Sequence, residues 1–260
     1  MAAFCTLEVA DAVATLTLAN PAKRNALSLP AMNELIAAFE GIGRDPCVRA
    51  VVLRALGPAF SAGHDLREVG EAGSERDLAY LQSIFDVCVR LMAVVQAIPQ
   101  PVIAEVAGVA TAAGCQLVAT CDLAVASSDA TFATPGVKIG LFCTTPMVAL
   151  TRAIGPKRAM LMLLTGDPID AHTAERWGLV NRVVAPADLA AETRALAAKI
   201  AAASASVVGI GKAAFYRQIE LDQTAAYAYA KDVMARNALE ADAGEGIAAF
   251  LARREPAWTT

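Results

Sequence analysis

Histidine is nearly absent. Only His64 and His172 occur in 260 residues, so no histidine-based metal site is expected. Aromatic residues make up 5%, so aliphatic side chains and alanine must fill the interior. There is no basic excess: 22 Lys and Arg stand against 26 Asp and Glu, a net charge of −4. Such a chain lacks a basic surface able to displace phosphate counterions, and no nucleic-acid partner is expected. A local basic pocket for one anionic ligand stays open. Cys5, Cys47, Cys88, Cys115, Cys121 and Cys143 are scattered without metal-ligand spacing. Residues 1–6 lack a basic stretch followed by an apolar core, and they are not rich in Arg and Ser. Neither a secretory leader nor a transit sequence is expected. No apolar run reads as long enough to span a bilayer, so no membrane association is expected. These absences predict a soluble, cytoplasmic protein in a reducing compartment, with its cysteines acting as small buried residues.

What is present is a large apolar fraction, 56% hydrophobic against 18% charged, enough for one large domain or a domain with an appendage. Ala14, Leu16 and Leu18 alternate with Thr15 and Thr17, which predicts a half-buried strand. Ser28 is placed to cap a helix carrying Met32, Leu35, Ile36 and Phe39 at helical spacing, with Gly41 and Gly43 stopping it. Residues 50–53 read as a strand buried on both faces. A polar, Gly-containing loop follows. Leu78, Leu81, Phe85, Cys88, Met92 and Val95 then predict one face of a long helix, ended by Pro99 and Pro101. Residues 102–106, 123–126 and 131–133 read as strands, and 112–119 as a helix opening just beyond Gly108. Strands alternate with helices to about residue 185. Beyond Pro186 the pattern is helical only. The fold class predicted is therefore α/β.

Several segments, in order, carry a resemblance. They are Asn20-Pro21-Ala22-Lys23-Arg24-Asn25-Ala26-Leu27, then Ala59-Phe60-Ser61-Ala62-Gly63-His64-Asp65-Leu66. Next comes Pro101-Val102-Ile103-Ala104 through Gly114-Cys115-Gln116-Leu117 to Cys121-Asp122-Leu123. Leu164-Thr165-Gly166-Asp167-Pro168-Ile169 with Trp177-Gly178-Leu179-Val180 follows, and Glu245-Gly246-Ile247-Ala248-Ala249-Phe250-Leu251 closes the set. Together they resemble the crotonase (enoyl-CoA hydratase/isomerase) superfamily over nearly the whole chain. Phe132-Ala133-Thr134-Pro135-Gly136-Val137 and Gly140-Leu141-Phe142-Cys143 resemble its enoyl-CoA hydratase domain-containing protein three branch.

The resemblance implies a spiral of repeated ββα units over residues 1–195. It implies a helical C-terminal region, residues 196–260, that packs on a neighbour in a homotrimer or dimer of trimers. It implies an acyl-CoA thioester as ligand, with no cofactor beyond the CoA moiety. The thioester oxygen would be held by an oxyanion hole made of the backbone N–H groups of His64 and Ala113, the second at a helix mouth where N–H groups are free. An ordinary turn would account for Gly63 alone. Ala113 stands where the family usually has Gly, which narrows the approach. Lys23, Arg24, Ala62, Asp65 and Arg253 are implied at the CoA arm, with Lys212 and Arg254 as further candidate cations; Asp65 reads as a brace for its loop. Leu66, Cys143 and Thr144, with Thr145, are implied at the acyl pocket.

The resemblance also implies what is missing. Hydratases of the family use two glutamates as acid and base. Here Gln116 and Gly136 occupy those positions, and neither takes a proton at neutral pH. Glu105 lies on a strand remote from both and reads as structural. Cys115 and Cys143 have no evident base and read as buried thiols. Three readings stay open: a decarboxylase of the methylmalonyl-CoA type, a weak hydratase with water placed by Gln116, and a non-catalytic acyl-CoA binder.

Overall fold

The computed structural model describes residues 3–70 and 77–259. Its strands form two sheets. The larger contains β1 (Cys5–Ala10), β2 (Val13–Leu18), β3 (Ala50–Ala55), β5 (Val102–Val106), β7 (Leu123–Ser127) and β10 (Arg182–Val184), in the order β1-β2-β3-β5-β7-β10. The smaller contains β4 (Ala59–Ser61), β6 (Val109–Thr111), β8 (Thr131–Ala133) and β9 (Ile169–Asp170), in that order. Among the described residues only the β1–β2 and β8–β9 pairs are antiparallel. The chain thus places β3, β5 and β7 in the large sheet and β4, β6 and β8 in the small one. Each pair is followed by helix, as in the ββα spiral.

Helix α1 (Leu29–Gly43) begins at Ser28, whose side chain accepts the Ala31 N–H. Its Met32, Leu35, Ile36 and Phe39 are buried in the core between the sheets. Gly41 does not stop it: the helix runs on to Gly43 and Arg44 caps it. Strand β2 is not half-buried as its alternation predicts. Thr17 is 4% exposed and accepts the Arg54 Nε–H at 3.0 Å, and helix α8 (Leu189–Ala201) packs on the second face of the sheet. Leu189, Ala197 and Ala201 pack there on Val13, Val52 and Ile103. Helix α8 runs through residue 195.

The segment read as a loop after β3 holds β4 and a short helix α2 (Leu66–Gly70). Its Gly-containing part at residues 71–76 lies outside the described residues. Helix α3 (Leu78–Ala97) then follows; Cys88, Met92 and Val95 of the predicted face are buried, and its N-terminal part differs. Ile84, Cys88, Leu91, Met92 and Val95 are its buried residues, while Leu78 is 72% exposed and Phe85 is only partly buried. At 20 residues α3 is long and apolar enough to cross a membrane, which corrects the expectation that no run is. Here it packs against α1 and against α4 (Ala113–Thr120). The C-terminal part is helical as expected: α9 (Ala205–Gln218), α10 (Gln223–Asn237) and α11 (Ala241–Ala252).

Buried Asn25 ties the turn after β2 to the entry of β4. Its side-chain carbonyl accepts the Asn20 N–H at 2.9 Å, and its amide donates to the Leu56 and Ala59 carbonyls at 2.9 and 2.8 Å. It also holds φ 52°, a left-handed conformation that Asn tolerates better than Ala. Asn25→Ala orphans the buried partners and is expected to lower unfolding free energy by about 2–4 kcal/mol. Chemical denaturation checks this; a loss under about 1 kcal/mol would contradict the role.

Candidate active site

The site grows from the contact between the loop after β4 and the start of α4. Ser61 Oγ donates to the Asn25 carbonyl at 2.8 Å and accepts the Gly63 N–H at 3.2 Å. The Ala62 N–H donates to the Arg24 carbonyl, and the Leu27 N–H to the Gly63 carbonyl. The loop is therefore fixed on both sides. Gly63 has φ 83°, and a Cβ built there would lie 3.0 Å from the Ala113 nitrogen and 2.9 Å from the Ala112 Cβ. Only glycine permits both the backbone and the approach. Gly114 does the same from the other side, since its Cβ would lie 2.3 Å from the Ser61 carbonyl oxygen.

Ala112 enters α4 with φ 50° and ψ −120°, an unfavourable conformation for a residue with a Cβ. Such strain costs about 1–3 kcal/mol and concentrates at functional sites. It is held by the Ala112 N–H donating to the Ala133 carbonyl at 2.9 Å. Among the described residues the main-chain N–H groups of His64 and Ala113 are given to no backbone carbonyl.

These elements border a cavity of about 320 Å³. Of the predicted site residues, His64, Ala113, Gly136, Ala62, Leu66, Cys143 and Thr144 line it. Phe85, Val69, Thr111, Lys138, Ile139, Leu141 and Phe142 line it too and were not anticipated. Phe85 was visible only as an apolar helix position. Among the described residues no aspartate or glutamate lines it; Glu71 and Glu75 lie outside the described residues.

Gln116 is not on this wall, which corrects its placement beside the acyl group. It is 5% exposed in α4, with the Cys88 Sγ 3.9 Å from its Oε1, and it borders a separate cavity with Met92 and Thr120. Thr145 borders both cavities. Gly136 is a close-packed point as well as a missing side chain. A Cβ there would lie 1.9 Å from the Leu141 carbonyl oxygen and 2.8 Å from the Cys143 Sγ.

Lys23 and Asp65 stand beside the loop rather than in the cavity wall. They pair at 3.5 Å, and Asp65 also accepts the Arg67 N–H at 3.1 Å. Asp65 thus braces the loop as expected. The Lys23 side chain is 55% exposed, so this pair contributes under about 1 kcal/mol and leaves the ammonium accessible. Arg24 adopts φ 51° at the end of the turn 21–23. Arg253 caps α11 on the exposed surface, away from the cavity wall. Two cations read as CoA ligands are engaged elsewhere. Lys212 is buried, paired with Asp122 at 2.7 Å, and donates to the Val95 and Gln100 carbonyls. Arg254 forms a two-pronged pair with Glu245 at 2.6 and 2.8 Å.

Burial governs the titratable groups. It raises the Cys143 thiol against the opposing Gly136 N–H, and pushes Cys115 up to about 12, so neither is a ready thiolate. Glu105 is raised by burial beside Arg54 and Arg194, in a cavity bordered by β2, β3 and α8. That location agrees with a structural role. The described residues contain no group of three or more His, Cys, Asp and Glu able to hold a metal.

Burial also holds the His64 imidazole below its usual 6.5; the nearby Leu27 backbone opposes this only in part. The ring packs edge-to-face on Phe85, with centroids 5.4 Å apart. The unfolded chain binds the proton more readily, so this stabilising contribution is present above about pH 6.5 and is lost as pH falls below it. An NMR titration of the His64 ring is expected to give a midpoint below 6.5. A midpoint at or above that value would contradict the burial.

The geometry agrees with the comparisons. Residues 8–260 match the Enoyl-CoA hydratase/isomerase family. The mitochondrial enoyl-CoA hydratase domain-containing protein 3 of Xenopus laevis is 46% identical over 254 residues, covering 97% of this chain and 85% of that protein. A crystal structure of an enoyl-CoA hydratase from Mycobacterium smegmatis is 49% identical with a TM-score of 0.94, covering 99% of both chains. That of human enoyl-CoA hydratase domain-containing protein 3 is 44% identical with a TM-score of 0.94, covering 98% of this chain and 100% of that one. The frog relative's name, and those of its mouse and human counterparts, place them in the mitochondrion, which overturns the expectation of a cytoplasmic protein. In sequence and in fold, this chain belongs to the enoyl-CoA hydratase/isomerase family.

Proposed function

We propose that the cavity binds an acyl-CoA thioester and stabilises its enolate through the main-chain N–H groups of His64 and Ala113. The observation that carries this is the 3.0 Å approach of the Gly63 Cβ position to the Ala113 nitrogen at the cavity wall. Two amides converging on one oxygen stabilise charge as it develops, and losing one such donor costs about 10²–10³ in rate. Lys23 and Arg24, beside the loop, are the proposed partners of the CoA phosphates, with Arg253 acting across subunits. Leu66, Cys143 and Thr144 bound the acyl group. No cofactor beyond CoA is called for. The exposed apolar residues of the region from 196 onward, among them Leu239 and Phe250, support assembly as a trimer or dimer of trimers.

The reaction that fits this wall needs no carboxylate from the protein. Hydration needs a base and an acid, and neither Gln116 nor Gly136 supplies one. Loss of CO₂ from a malonyl-type thioester generates the enolate by itself. The bond from the α-carbon to the carboxylate breaks, its electron pair enters the enolate, and the α-carbon then takes a proton from water. A non-catalytic acyl-CoA binder is the second reading, supported by the same absence of carboxylates among the described residues of the wall.

Purified protein incubated with crotonyl-CoA and with methylmalonyl-CoA separates these. CO₂ release without loss of the enoyl absorbance is expected. Rapid hydration of crotonyl-CoA would overturn the proposal, and binding without either reaction would leave the binder. Restoring both acids in a Gln116→Glu, Gly136→Glu variant is expected to give no hydratase activity and a lower Tm, because a side chain at 136 meets the Leu141 carbonyl oxygen at 1.9 Å. Recovered hydration would contradict the close packing at that position.

A further inference from the structure

We propose that Glu68 is a positioning residue: its carboxylate hangs helix α2 from the first turn of α1 and so keeps the His64 main-chain N–H turned toward the thioester oxygen. This rests on the oxyanion-hole reading and adds to it a residue that does not line the cavity. Glu68 Oε2 accepts the Leu29 N–H at 2.9 Å, across 39 positions of sequence. The first N–H groups of a helix have no partner within it. In α1 each is accounted for. Pro30 has none, the Ala31 N–H goes to the Ser28 side chain, and the Leu29 N–H goes to Glu68. A carboxylate there also meets the positive end of the helix. Two residues before Leu29, the Leu27 N–H donates to the Gly63 carbonyl at 2.8 Å. Residues 27–29 therefore hold the donor loop at Gly63 and helix α2 at Glu68, and His64 lies between the two attachments. The Asp65 carbonyl accepts the Glu68 N–H at 3.1 Å, so the turn that becomes α2 starts at the residue after His64. Helix α2 has five residues, too few to hold its form alone. It nonetheless supplies Leu66 and Val69 to the cavity wall. Val69 anchors it in the core, but an apolar contact has no direction, whereas a hydrogen bond has. Without the Glu68 tether α2 is free to turn about Val69, and the His64–Asp65 peptide turns with it.

The test uses the full chain with bound butyryl-CoA labelled with ¹³C at the thioester carbonyl, whose infrared band reports how well the donors meet the oxygen. In the wild type the bound band is expected below that of the free ligand. In Glu68→Ala it is expected to return most of the way to the free value. Glu68→Gln, whose side-chain carbonyl can still accept the Leu29 N–H, is expected to keep most of the wild-type shift. Leu29→Pro removes the donor from the other side. Proline suits the first helical position, and Ser28 already has the extended backbone, φ −77° and ψ 163°, that precedes a proline. That variant is expected to lose the shift as Glu68→Ala does. A merely structural role would lower Tm and leave the band of the bound ligand where it is. A band unmoved in Glu68→Ala or in Leu29→Pro overturns the inference and leaves the oxyanion-hole reading intact. A shift lost as fully in Glu68→Gln as in Glu68→Ala overturns it too, since the Leu29 N–H still has an acceptor there. A wild-type band without the shift, or a wild type that does not bind the thioester, overturns both. Leu29→Pro decides where Glu68→Ala fails to fold.

Discussion

The structure depends on one backbone approach: the loop after β4 pressed against the first residues of α4. Gly63 meets the Ala113 nitrogen there, and Gly114 meets the Ser61 carbonyl, each at a distance that a side chain would obstruct. The loop is held in place by Asn25 and Ser61, and the helix entry by the strained Ala112. A strained entry persists only where its surroundings over-determine it. Here the two sheets do so: β4 and β6 are parallel neighbours, so the loop and the helix mouth emerge at the same end of the small sheet. The ββα repeat therefore brings the loop at Gly63 against the helix start at Ala113, about fifty positions further along the sequence.

What surrounds those amides limits the chemistry. The described lining holds a neutral histidine, one buried thiol, threonines and one lysine paired with Asp167, but no carboxylate. The proposed departure from hydratase chemistry rests on more than two side-chain identities. At Gly136 the backbone of Leu141 fills the space where a Cβ would begin, and Gln116 points its amide at the Cys88 thiol. The proposed enolate chemistry asks only for main-chain donors, which depend on backbone position rather than on side-chain identity.

Much of this was legible in the chain because local physical chemistry agrees with the fold. Ser28 caps α1, and residues 131–133 form the strand that their pattern indicates. The ordered segments around Gly63 and Gly114 located the loop and the helix mouth. What was not legible needed three dimensions. The alternation of Thr15 and Thr17 cannot show that α8 covers the second face of the sheet. The motif position of Gln116 does not fix the direction of its side chain, which depends on how α4 packs against α3. Phe85 looked like any core residue of an apolar helix until its neighbour proved to be His64. Lys212 and Arg254 carry the expected charge, but Asp122 and Glu245 hold them. Localisation was misread because composition carries little information about compartment.

The central claim is that the His64 and Ala113 amides hold one thioester oxygen. The infrared stretch of the thioester carbonyl of bound butyryl-CoA, carrying a ¹³C label at that carbon, reports on it directly. Two donors aimed at the oxygen weaken the C=O bond, so the bound band is predicted to move to lower wavenumber than that of the free ligand in water. A bound band at or above the free value would contradict the claim.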